Sequence, residues 1–165
     1  AIEALTQTHG EPGETGIVRG LDAEADIALV ATDLEDPIGY LSIDPADRGV
    51  EGHIRQLFIL PKYRRWGIAT WLVNASVAYA AEHGMRTLFT EVAAANPGML
   101  VYLKAGFRIC GYLDKPAANP ADEPHALLFL AYDVAAVGPN HAPSRSSGRN
   151  ALHISATRGA SHPSI

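Results

Sequence analysis

The period of hydrophobic and polar positions changes along the chain, and each change marks an element. Two short runs bearing β-branched or aromatic residues, ADIALVATD (residues 25–33) and IGYLSID (38–44), flank LEDP and predict an antiparallel hairpin. HIRQLFIL (53–60) predicts a third, more deeply buried strand. From Ile68 the spacing becomes three or four. Ile68, Trp71, Leu72, Ala75, Ala78, Tyr79 and Ala81 mark an amphipathic helix that stops at EHG, with Gly84 placed to close it. TLFTEVA (87–93) is the next strand. NPGMLVYLKAGF (96–107) then predicts a helix of about two turns, with Asn96 as N-cap, Pro97 at the first position and Gly106 as terminator. FRICGYL and HALLFLAYDV follow as two strands joined by the turn-rich DKPAANPADEP. At the start, AIEALTQT (1–8) reads as the last turns of a helix and HGEPGETG as a loop. Beyond Val134 periodicity is lost, so residues 135–165 are expected to be a disordered or appended tail behind one domain over residues 1–134.

Composition narrows the function. The chain has 165 residues, 47% hydrophobic and 19% charged, which is ordinary for one globular domain, and no apolar run is long enough to cross a bilayer. The tail region holds Arg145, Arg149 and Arg158 and no acid, leaving 10 basic and 18 acidic side chains, a net charge near −8, on residues 1–134. That argues against a nucleic-acid-binding surface and favours a cationic substrate. One cysteine, Cys110 in the apolar FRICGYL, excludes a disulfide framework within the chain, fits a reduced, cytoplasmic setting and reads as a core residue. The seven histidines lack ligand spacing, so no metal site is expected.

The chemistry sits in YRRWGIATWL (63–72), where a strand hands over to a helix. The first amides of a helix have no internal partners, and its dipole places positive charge there, so such a junction suits a phosphate. Gly67 and Ala69 leave the backbone accessible, and Arg64 and Arg65 add charge. The alternative is a solvated basic patch. No Walker loop or dinucleotide-binding glycine motif is present.

Arg64, Gly67 and Ala69, followed by Tyr102, Gly106 and Phe107, resemble the Gcn5-related N-acetyltransferase (GNAT) family, whose signature is [QR]-x-x-G-x-[GA] and then a Y-x-x-x-G-F helix. The resemblance spans residues 26–134. It implies an α/β (α+β) fold with a mixed, mostly antiparallel sheet, splayed between two central strands and flanked by helices. Acetyl-CoA would be the co-substrate, its pantetheine arm pairing with the backbone of Leu57, Phe58 and Ile59, and its pyrophosphate held by backbone N–H groups of Trp66, Gly67, Ile68, Ala69 and Thr70. Arg65 and Trp66 would point outward. The tryptophan departs from the family pattern; it either covers the adenosine or packs on the surface. Asn96 is a further cofactor candidate, although it stands six residues before Tyr102 where the family has seven; capping accounts for it equally. Only about 25 residues precede Asp26, fewer than the family's leading strand and two helices require, which leads to the expectation of truncated N-terminal helices.

An amine with a pKa of about 10.4 must lose a proton before it attacks a thioester, and the departing thiolate leaves more easily beside an acid. The resemblance implies Tyr102 as that acid, with Glu91 as base and His53 as the other candidate for the base. The amide of Leu57 or Ile59 would stabilise the oxyanion. Asp44, Glu51 and His53 are expected to line the acceptor side. The acceptor would be a small-molecule or peptide amine; dimers are common in the resembled family. The alternative function is a non-catalytic acyl-CoA-binding or interaction module of the same fold.

Overall fold

A computed structural model describes residues 27–34, 36–115, 125–136 and 152–158. The residues expected to form an N-terminal helix and loop lie outside them. β1 (Ile27–Asp33) and β2 (Asp36–Ala46) form the hairpin, their antiparallel pairing running from Ile27 against Ile43 to Asp33 against Asp36. β3 (Glu51–Ile59) pairs antiparallel with β2. The chain then crosses through α1 (Ile68–Glu82) to β4 (Thr87–Ala93), which lies parallel to β3. After α2 (Met99–Lys104), β5 (Arg108–Lys115) and β6 (His125–Asp133) complete the antiparallel half.

The sheet order is β5-β6-β4-β3-β2-β1, and β7 (Leu152–Arg158) extends it beyond β1. β7 pairs antiparallel with β1 from Ile27 against Arg158 to Asp33 against Leu152. Residues 152–158, inside the stretch expected to be a disordered or appended tail, thus form a strand of the sheet. A Gly-, Ser- and Asn-rich stretch before them hid a short run, LHISATR, whose β-branched residues suffice to pair with an existing edge.

Most of the core lies between the sheet and α1. Its buried residues include Leu29, Leu41, Ile54, Leu72, Val73, Val77, Leu88, Leu130 and Tyr132. The helix buries Ile68, Leu72, Val73, Ser76, Val77, Tyr79 and Ala80, a face turned from the one expected, and Ala81 is exposed. Ser76 can lie inside because its hydroxyl donates to the Val73 carbonyl at 2.7 Å. On the opposite face of the sheet Val30, Tyr40 and Leu60 make a smaller cluster. Cys110 is exposed rather than in the core, because β5 is an edge strand with a bulge at that residue.

Candidate functional site

The parallel ladder between β3 and β4 is four residues long, from Glu51 against Thr87 to Ile54 against Thr90. Beyond it the strands follow different neighbours: β3 stays on β2 as far as Ile59, and β4 stays on β6 as far as Ala93. Ser42 faces Gln56 while Ile43 faces Ile54, so Arg55 is an extra residue, and this bulge bends β3 where the ladder ends. The result is a fork with inner edges at residues 55–59 and 91–93.

Strand alternation decides which backbone groups face the gap. Leu60 N–H donates to the Ile38 carbonyl at 2.9 Å, one residue past the Gly39–Ile59 pair. The polar backbone groups of Phe58 therefore also point to β2, and those of Leu57 and Ile59 point into the fork. This corrects the expectation for Phe58, whose backbone belongs to the β2 ladder. The Ile59 carbonyl accepts from Arg64 Nε at 3.1 Å, so Arg64 ties the following loop to the end of β3 and is not simply a free charge at the helix mouth.

At that mouth Gly67 is the N-cap with φ 82°, and the first intrahelical bond runs from Trp71 N–H to the Gly67 carbonyl at 2.9 Å. The amides of Ile68, Ala69 and Thr70 precede it, with no side-chain cap among the described residues. A Cβ on Gly67 would meet nothing within 4 Å, so the space in front is open. Arg65 also has positive φ, 66°, and is exposed. Trp66 is 65% exposed and stands edge-on to Tyr63 at 5.8 Å, whose hydroxyl donates to Asp33 Oδ2 at 3.2 Å.

At the point of the fork, α2 brings in Tyr102. Gly106, at φ 100°, ends that helix and turns Phe107 beneath the Tyr102 ring, edge-on at 5.4 Å. Burial pushes the Tyr102 phenol up to about 12, and a hydrogen bond with the Thr90 side chain opposes the shift. The Thr90 hydroxyl in turn donates to the Ile54 carbonyl at 3.0 Å. The Tyr102 phenol and the last paired residues of the ladder thus both lie beside the Thr90 hydroxyl. Thr90 was not among the expected site residues, but its place was readable in sequence: it occupies a buried position in the alternation Leu88, Thr90, Val92, and a buried hydroxyl needs a partner.

The other face of the same strands carries the carboxylate and imidazole. His53 and Phe89 face each other across the ladder with rings stacked at 4.4 Å, and Glu91 follows two residues on, exposed. Burial holds His53 below its usual range, and the Arg55 charge adds to this; Glu91 and Asp44 pull the other way without prevailing. Asp44, opposite His53 on β2, pairs with Arg55 at 3.5 Å through Oδ2, and Glu51 lies at the closed end of the ladder.

Asn96 stands apart. Its Oδ1 accepts from Gly98 N–H at 2.8 Å and its carbonyl from Met99 N–H at 3.1 Å, so it shapes the turn into α2. The helix begins at Met99 with Gly98 as N-cap, two residues later than expected, and the Asn96 side-chain oxygen is already engaged. Among the described residues no His, Cys, Asp and Glu cluster suits a metal ion, and no helix is long and apolar enough to cross a membrane.

A profile of the acetyltransferase (GNAT) family matches residues 5–107. Among solved structures, the ribosomal-protein-S18-alanine N-acetyltransferase of Escherichia coli is 17% identical, with 84% of this chain and 88% of that one covered and a TM-score of 0.59. An aminoglycoside 6'-N-acetyltransferase complexed with coenzyme A is 16% identical over 75% of this chain and 81% of its own, with a TM-score of 0.59. The ribosomal-protein-alanine N-acetyltransferase of Brucella melitensis is 22% identical over 64% and 67%, with a TM-score of 0.57. A search of curated proteins gave no match.

Proposed function

Because the chain belongs to the acetyltransferase (GNAT) family, we propose that it is an N-acetyltransferase that moves an acetyl group from acetyl-CoA directly to a primary amine of a small molecule or protein. The observation that carries this reading is the fork between β3 and β4, with a buried phenol at one face and a carboxylate and an imidazole at the other. The alternation of a strand gives that division: Thr90 and Glu91 are neighbours in sequence and point to opposite sides.

The residues suit the co-substrate. Acetyl-CoA, when bound, supplies a thioester and a diphosphate-bearing handle. The amides of Ile68, Ala69 and Thr70 suit the diphosphate, with Gly67 leaving their approach clear. Leu57 and Ile59 can pair with an extended arm as an added strand, and either N–H can stabilise charge developing on a carbonyl oxygen. Glu91 acts as the base for the incoming amine. His53, neutral near pH 7, stands beside it as a second acceptor for the proton. Tyr102 stays protonated throughout the neutral range and donates a hydrogen bond towards the leaving sulfur.

The acceptor in this reading is a cationic amine, in keeping with the net charge near −8 on residues 1–134. Two structural relatives are a ribosomal-protein-S18-alanine N-acetyltransferase and an aminoglycoside 6'-N-acetyltransferase, and alanine and aminoglycosides both carry amines. The test is thiol release from acetyl-CoA with a panel of polyamines, aminoglycosides and peptides with amino-terminal alanine, with mass spectrometry of the products. Acetylated product supports the proposal. Thermal stabilisation by acetyl-CoA without thiol release from any amine would replace it with the non-catalytic binding module.

A further inference from the structure

Thr90 is a hydroxyl among hydrocarbons. Its neighbours on the buried side of β4 are Leu88 and Val92, and Thr90 itself is 3% exposed. Valine has the same shape and no polar atom to satisfy, so packing alone does not call for the oxygen. The hydroxyl donates to the Ile54 carbonyl at 3.0 Å, across the last pair of the parallel ladder. It also lies beside the buried Tyr102 phenol, and among the described residues it is the group that opposes the effect of burial there.

A threonine hydroxyl has one proton to give, and here two oxygens can take it. At rest the Ile54 carbonyl does. A neutral phenol oxygen is a poorer acceptor than a carbonyl, but the order reverses as the phenol shares its own proton with a leaving thiolate and negative charge grows on its oxygen. Rotation about the Thr90 Cβ–Oγ1 bond then carries the hydrogen from one acceptor to the other. The oxygen stays where it is, because a β-branched side chain in a strand is stiff at χ1, and no proton leaves Thr90.

We propose that Thr90 is a positioning residue for Tyr102: its hydroxyl rests on the Ile54 carbonyl, turns to the phenol oxygen as charge develops there, and holds the phenol at the point of the fork. Its part in turnover rests on the acetyltransferase reading, whereas its contact with the phenol does not. The competing account is a side chain that only caps the Ile54 carbonyl.

Kinetics of thiol release separate the two. Thr90→Val removes the hydroxyl at nearly constant shape and is expected to lower kcat about tenfold, with the KM for acetyl-CoA within about threefold. Thr90→Ser keeps the hydroxyl and is expected to recover most of the loss. On a Tyr102→Phe background, Thr90→Val is expected to change kcat by less than about twofold, because no phenol oxygen remains to be held. Equal losses on both backgrounds would overturn the proposal and leave Thr90 a cap. Circular dichroism confirms folding, and Thr90→Ala replaces Thr90→Val if the latter does not fold.

A titration reads the contact without turnover. With 3,5-difluorotyrosine incorporated at position 102, a phenol that ionises at lower pH than tyrosine, the pKa followed by absorbance or fluorine NMR is expected to rise by about one unit, a tenfold change, in Thr90→Val, and to stay near the wild-type value in Thr90→Ser. A pKa that is the same with and without the Thr90 hydroxyl would overturn the proposal whatever the kinetics. A raised pKa in a protein that acetylates no amine would support the Thr90 contact and count against the acetyltransferase reading, so the two fail separately.

Discussion

Removing one oxygen from Tyr102 separates two roles that a tyrosine at the fork could have. A phenol at about 12 would have to pass its proton to a thiolate whose conjugate acid has an ordinary pKa of about 8.5. Full transfer is uphill by about 3.5 units, or roughly 5 kcal/mol, so Tyr102 stabilises the leaving sulfur by hydrogen bonding while keeping its proton. A hydrogen bond to a charged group contributes about 1.5–3 kcal/mol, so Tyr102→Phe is expected to lower kcat by roughly 10- to 150-fold. The KM for acetyl-CoA should stay within about threefold, because this interaction strengthens only as charge develops. Thr90 keeps its bond to the Ile54 carbonyl in the variant, so unfolding free energy should change by less than about 1 kcal/mol. Steady-state kinetics of thiol release with matched denaturant curves make the comparison. Turnover within twofold of wild type would remove Tyr102 from the reaction, and a loss confined to KM would make it a binding residue.

Glu91→Gln is expected to lower kcat by about 10²–10⁴-fold and His53→Gln by less than tenfold; the reverse order would move the base to His53. Gly67→Val adds a branched side chain at φ 82°, where an L residue is strained by about 1–2 kcal/mol, and sets a Cβ in the open space before the amides of α1. Both the melting temperature and acetyl-CoA affinity should fall, the latter at least tenfold by calorimetry; a drop in stability alone would argue against a diphosphate at that mouth. His53 gives a stability signature as well. Its folded pKa is depressed, so from pH 6.5 downwards the unfolded chain takes the proton first and stability falls until the folded pKa is passed. The acid-side decline should shrink in His53→Gln, and melting curves between pH 7 and 5 that coincide for the two proteins would contradict this.

Much of the fold could be read from local pattern because its elements are punctuated. Gly84 and Gly106 follow the ends of the two helices, and β4 occupies the seven residues expected, whereas Pro97 stands two residues ahead of the helix it was expected to begin. The site was less legible where it depends on long-range pairing. Nothing local distinguishes Phe58 from Leu57 and Ile59; which backbone faces the gap follows from the register with β2, set by a bulge at Arg55. The Arg64 bond to the Ile59 carbonyl joins residues five apart through a turn whose shape the sequence does not give. Cys110 looked apolar by its neighbours, yet exposure is decided by β5 standing at the sheet edge. Thr90 shows the reverse, since its place in the alternation was readable, and only its partners, Ile54 and Tyr102, required the structure.

A calorimetric titration of the folded chain with coenzyme A addresses the account at its base, because every proposed role at the fork assumes that a diphosphate at the start of α1 positions a thioester beside Tyr102. Saturable 1:1 binding with a Kd on the order of micromolar to tens of micromolar, weakened at least tenfold by Gly67→Val, is the predicted result. Absence of binding at millimolar coenzyme A, in a sample whose circular dichroism shows the native fold, would contradict it.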